Sequence, residues 1–226
     1  MIPPVEVEHA DAARLRDRLA EIEAEQAALE AELAIFHAEY ARRVLTILAQ
    51  VHELDARILA RSGDAAAAGE ARTRARRETS EAASVPATPG PVPTADLKRL
   101  FRDAAKRMHP DLAPDPEVRA HAEAFMKRLN DAYRAGDGEA IADLMRQWAA
   151  SPYGDGEPLA GAPRIAGLNA AVRRAQQRLD EVRGSKLADL MEQTMAAAAE
   201  GSDHLGELRA GAEAALAAAR ARLAET

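Results

Sequence analysis

The sequence predicts an all-α protein. Three observations carry that prediction: apolar residues recur at helical spacing along most of the chain, no window alternates in the manner of a strand, and proline and glycine collect between the periodic segments. The expected architecture is an antiparallel helical hairpin with one packing helix, flanked by long coiled-coil helices. Of 226 residues, 47% are hydrophobic but only 3% aromatic, with alanine supplying much of the apolar count. The core is therefore thin, and stability should rest on helix pairing.

Residues 1–62 form the first expected element. Leu15, Leu19, Ile22, Gln26, Leu29, Leu33, Phe36, Tyr40, Val44, Ile47, Val51, Leu54 and Ile58 alternate steps of three and four, with one extra step of four from Tyr40 to Val44. That is the pattern of a coiled coil with a stutter. From residue 8 to 61 the helix would be about 80 Å long and must pair with another helix or form a homodimer. Gln26 at a seam position could help to fix register. Residues 63–93 read as a linker, opening after Ser62 with Gly63 and closing in Pro86, Pro89, Pro91 and Pro93, with Arg72, Arg74, Arg76 and Arg77 between. Those arginines are few, flanked by Glu70, Glu78 and Glu81 and not interleaved with aromatics, so they do not point to nucleic acid.

Residues 94–150 form the central module. Thr94 can cap a helix over Ala95–Met108, with Asp96 at the positive end of its dipole. Leu97, Leu100, Phe101, Ala104 and Met108 share one face, while Lys98, Arg99, Arg102 and Lys106 share the opposite one with no carboxylate among them. Asp115, Pro116 and Glu117 read as a cap, a first-turn proline and an acidic first turn. Val118, Ala122, Phe125, Met126, Leu129 and Tyr133 then recur until Gly136 stops the helix. Two helices joined by so short a loop should fold back on each other, with His109, Pro110 and Asp111 at the tip. Ile141, Leu144, Met145 and Trp148 mark a third helix from about Gly138 to Ala149.

Three specified residues in a row turn up by chance on the order of once per hundred chains of this length, so the flanks of the tripeptide decide its meaning. Residues 96 to 111, Asp-Leu-Lys-Arg-Leu-Phe-Arg-Asp-Ala-Ala-Lys-Arg-Met-His-Pro-Asp, resemble without a gap the second helix and loop of the J domain of DnaJ-type co-chaperones. Leu129, Asn130, Ala132 and Tyr133 resemble that family's third-helix pattern. The resemblance implies a J-domain-like module that docks on a DnaK-type ATPase chaperone, stimulates ATP hydrolysis there and recruits it to a client protein, whose identity the sequence does not give. The chaperone-binding residues would be His109, Pro110, Asp111, Lys98, Arg99, Arg102 and Lys106.

The chemistry of those residues fits the role. The Asp111 carboxylate suits a charge-assisted pair with an arginine. Pro110 restricts both itself and His109, so the loop loses less entropy on docking. His109, when neutral, offers one donor and one acceptor, enough to tether the loop to a partner or to its own hairpin. The cationic face would steer association with an acidic surface, an effect that salt weakens. Three departures from the family stand out. The proline-rich residues 86–93 leave no room for the usual first helix, so the helix at 138–149 is expected to pack across the hairpin in its place. Leu112 stands where the family carries a basic residue, and Met126 where it favours Phe.

Residues 151–163 read as a second linker, and residues 164–226 as a C-terminal helical hairpin or coiled coil. Ile165, Leu168, Val172, Leu179 and Val182 begin its stripe, Leu187, Leu190, Met191 and Met195 continue it, and Leu205, Leu208, Ala212, Leu216, Ala219 and Leu223 end it. A break is expected at Gly201 and Ser202, and Gly184 and Ser185 leave a second one open. These alanine-rich helices look like partners for the N-terminal helix of this chain or of a second copy.

The function classes left over are few. A net charge of −7 argues against a general binder of nucleic acid or anionic membranes. No stretch reaches the roughly 18 apolar residues of a membrane span, no secretory signal opens the chain and cysteine is absent, which together read as cytoplasmic. His109 with His121, Asp111 or Asp115 lacks a metal-ligand spacing. No phosphate loop, paired-carboxylate pattern or nucleophile motif appears. No catalytic residue, metal or cofactor is therefore expected, and the chain reads as a co-chaperone and not an enzyme. The alternative is a coiled-coil adaptor or scaffold carrying an inactive J-like module.

Overall fold

The computed structural model describes residues 4–85, 90–113, 116–153 and 162–225, and the fold is all-α, with no strand among the described residues. The helices are α1 (Pro4–Tyr40), α2 (Thr46–Arg61), α3 (Ala65–Ser84), α4 (Ala95–Met108), α5 (Pro116–Arg134), α6 (Gly138–Ala149), α7 (Ala162–Arg183), α8 (Lys186–Ala199) and α9 (His204–Glu225). A π-helical turn, Ala41–Leu45, joins α1 to α2, and a 3-10 turn, Pro110–Leu112, lies between α4 and α5. The chain divides into a first unit, Met1–Glu32 with Gly90–Ser185, and a second, Leu33–Pro89 with Lys186–Thr226. None of the described helices is long and apolar enough to cross a membrane.

In the first unit α4, α5 and α6 begin and end where capping chemistry places them. The Thr94 hydroxyl accepts from the Leu97 amide, and the Asp137 carboxylate accepts from that of Ala140. Asp115, the expected cap of α5, lies outside the described residues. Gly136, at φ 71°, ends α5 in the left-handed conformation that a residue with a Cβ avoids. Leu97, Phe101, Ala104 and Met108 of α4 meet Phe125, Leu129 and Tyr133 of α5 and Ile141, Leu144 and Trp148 of α6 in one core. Phe101 stands edge-on to Tyr133, with ring centroids 4.8 Å apart.

The helix at 138–149 does pack on the hairpin, but it does not close the core alone. Ala20, Ala27, Ala28 and Ala31 of α1 belong to the same cluster. These alanines lie about 160° around α1 from the stripe of Leu19, Ile22 and Leu29, at 100° per residue. That second stripe packs on Ala171, Val172, Ala175 and Leu179 of α7. One helix is thus buried on two opposite faces. A pattern search weighted toward large side chains finds only the leucine face. Of the two expected ways to cover the leucine stripe, another helix or a second copy, this part of α1 takes the first, an intrachain contact with α7.

The second unit corrects the reading of residues 63–93 as a linker. Ala65–Ser84 is a helix, opened by the Asp64 carboxylate, which accepts from the Ala67 amide. It buries Ala68, Ala71, Ala75 and Glu78, a stripe at helical spacing. Alanine and arginine favour the helix, and the stripe was missed because its alanines carry little hydrophobic signal. The expected stutter is realised as the π-helical turn, whose wider turn absorbs the surplus spacing between Tyr40 and Val44. The C-terminal segment breaks at the expected Gly201, where φ is 83°, and also at Gly184 and Ser185, which the sequence leaves open. Residues 164–226 are therefore not one hairpin: α7 belongs to the first unit, and α8 and α9 to the second. Leu205, Ala212, Leu216 and Ala219 of α9 are buried, and α9 packs on α2 of the same chain.

Candidate functional site

The loop between α4 and α5 carries the chain's most informative residues, and its geometry follows from three consecutive side chains. His109 ends α4 in an extended conformation, φ −68° and ψ 129°, as a residue before proline must. Pro110 opens the 3-10 turn, in which the Ala113 amide donates to the Pro110 carbonyl over 3.0 Å. His109 caps the turn, because the Asp111 amide donates to its Nδ1 over 3.1 Å. A ring nitrogen that accepts carries no proton, so the proton of the neutral imidazole sits on Nε2. Nε2 donates it to Oε1 of Glu23, 3.1 Å away.

His109 is 6% exposed, one of few buried polar residues in the described chain. Glu23 explains how it is tolerated. On α1 this carboxylate lies about 80° from each of the two apolar faces, on the seam where the hairpin and α7 approach. There Oε1 accepts from both His109 and Nη2 of Arg178. Burial alone would push the Glu23 carboxyl up, but the hydrogen bond from His109 together with the Arg178 guanidinium outweighs it and holds the group below its ordinary value. Next to it Asp111 Oδ2 accepts from Nη2 of Arg174 over 2.9 Å. Arg174 and Arg178, one helical turn apart on α7, therefore hold adjacent carboxylates.

The cationic face of α4 is partly neutralised by α1. Lys98 lies 3.6 Å from Glu32, and Lys106 pairs with Asp17. Arg99 pairs with Asp96 within its own helix at 3.4 Å. Arg102 is exposed and has no ion pair among the described residues. In the first unit the cationic face is thus engaged by Asp17 and Glu32 of α1, and the loop by Glu23 of α1 and Arg174 of α7.

Asp17, Glu23, Glu32, Arg174 and Arg178 were missed at the sequence level. Their partners lie from 63 to 155 residues away in the chain, beyond the reach of any local pattern. A signal existed only for Arg174 and Arg178, whose spacing of four sets them beside the buried Ala175 and Leu179. His121 lies in an aromatic cluster, its ring 5.6 Å from Trp148 and 4.9 Å from Phe125. Among the described residues no group of three or more His, Asp or Glu side chains could hold a metal ion. No protein-family model matches this chain, and neither does any curated protein or solved structure.

Proposed function

We propose that the protein is a J-type co-chaperone that docks through the His109, Pro110, Asp111 loop and the Lys98, Arg99, Arg102 and Lys106 face on a DnaK-type ATPase chaperone, stimulating ATP hydrolysis there. The observation that carries this reading is the register: the tripeptide stands between two helices that share one core, and residues 96 to 111 resemble the second helix and loop of the J domain without a gap. A further support is that Asp111 takes a guanidinium in this very chain, the chemistry the docking role asks of it. The helical segments outside the module would hold a client. In place of the usual first helix, α6 and the alanine face of α1 complete the hairpin core.

The test is single-turnover ATP hydrolysis by the DnaK-type chaperone of the same cell, with and without this protein. The wild type should accelerate hydrolysis. Asp111→Asn, at a side chain 25% exposed and so tolerated by the fold, should return the rate to that of the chaperone alone. His109→Gln should do the same, with circular dichroism to show that the helices persist.

The second reading, a helical adaptor whose loop is purely structural, is favoured by the burial of His109 and its bond to Glu23. It requires that the folded wild type leave the hydrolysis rate unchanged.

A further inference from the structure

We propose that α7 is a latch on the His109, Pro110, Asp111 loop, and that a docking partner must displace it. The inference rests on the co-chaperone reading and adds a regulation of that same site. Its first ground is occupancy. Asp111 has a carboxylate suited to an arginine from outside, and an arginine of the same chain already holds it: Arg174 Nη2 at 2.9 Å. A second guanidinium, Arg178, engages Glu23, the residue that fixes His109. Any partner offering a guanidinium to Asp111 competes with Arg174 for the same oxygen, so the affinity it shows is reduced by the fraction of molecules in which α7 is docked.

The second ground is that the contact is built to release. The Arg174 pair with Asp111 is the more exposed of the two, 52% on the arginine and 25% on the carboxylate, and exposed ion pairs hold weakly. The apolar footing of α7 is Ala171, Val172, Ala175 and Leu179 against Leu19, Ile22 and Leu29 of α1, with Leu168 also buried, and its two alanines hide little area. Segments with few buried apolar contacts are those that open at low free-energy cost. The hairpin core does not depend on α7, since α1, α4, α5 and α6 supply all of its side chains. When α7 leaves, Asp111 becomes free while His109 keeps its bond to Glu23. The two states therefore differ in the docking carboxylate and not in the fold of the loop.

The third ground is charge. Asp17 and Glu32 sit against Lys106 and Lys98 on the cationic face. α1 thus presents carboxylates to the lysines and α7 a guanidinium to the loop carboxylate Asp111, the complement that a docking surface would itself need.

The experiment uses the full chain in three forms: wild type, Arg174→Glu with Arg178→Glu, and Arg174→Lys with Arg178→Lys. Amide exchange across α7, residues 165–183, reads the latch, and chaperone ATP hydrolysis at limiting protein reads docking. The reversed charges should raise exchange in α7 about tenfold and stimulation about fivefold above the wild type. The lysine pair, which keeps the charge, should stay near the wild type in both. Unchanged exchange in the reversed variant overturns the latch. So does faster exchange with stimulation equal to the wild type, which would leave the co-chaperone function standing. If α7 opens and neither form stimulates, the docking function fails, and the latch as its regulator fails with it.

Discussion

The two units of this chain are built from the same secondary structure and different side chains. Every aromatic ring that is buried, Phe101, Phe125, Tyr133 and Trp148, lies in the first unit. In the second, Ala49, Ala56, Ala68, Ala71, Ala75, Ala212 and Ala219 are buried with only a few leucines and valines. A core of large rings gains stability from the area each side chain hides. A core of alanines gains it from the closeness of helix backbones, and each residue hides little. The first should be sensitive to truncation, the second to enlargement.

Two substitutions would break that comparison if it is wrong. Phe101→Ala deletes a ring that is 0% exposed and stacked edge-on with Tyr133, and should destabilise by about 3–5 kcal/mol. Ala71→Leu, at 2% exposure on α3, should destabilise by about 1–3 kcal/mol, because the added carbons force helices apart. Urea unfolding measures both, with amide exchange to assign each loss to its unit. A silent Ala71→Leu would mean that α3 packs loosely on α2.

The next largest effect belongs to the seam residue Glu23. Replacing it with glutamine removes the charge shared by His109 and Arg178, at a side chain 13% exposed, and should cost about 2 kcal/mol near neutral pH. The carboxyl is held below its ordinary value in the fold. Its contribution is therefore complete above the ordinary carboxyl range and is lost as pH falls through the depressed value. The gap between wild type and Glu23→Gln in urea midpoint should be full near neutral pH and should close as the pH falls through the depressed value. A gap that persists in acid would show that the shape of the side chain, and not its charge, holds the seam.

The difference between the units also explains what could be read from the sequence. Large apolar residues at helical spacing, a Thr94 cap and a Gly136 stop place α4, α5 and α6 at their observed bounds. The same reasoning passes over α3, because Ala68, Ala71 and Ala75 look alike on a buried face and in a linker. It finds the leucine face of α1 and misses the alanine face opposite, which is the one that closes the hairpin core. The tripeptide was visible because it is contiguous. The groups that hold it were not, since Glu23 and Arg178 meet across 155 residues and nothing local links an acidic position in one helix to a basic one in another. Periodicity reports what a helix buries and leaves open which helix covers it.

The smallest expected effect tests whether the ring-rich core is chemically satisfied. Tyr133 is 0% exposed, and its hydroxyl is buried with no hydrogen-bond partner among the described residues. Burial and the nearby Glu32 carboxylate push its pKa up to about 12, so the group stays neutral and contributes only the cost of a desolvated oxygen. Tyr133→Phe keeps the ring and its edge-on contact with Phe101 while removing that oxygen. Deleting a buried unpaired polar atom without changing the shape around it is neutral or favourable. The variant should therefore gain up to about 1 kcal/mol in urea unfolding, against the loss that any truncation of the same ring would cause. A loss of comparable size would place an ordered water on the hydroxyl, and the core of the first unit would then owe part of its stability to a hydrogen bond.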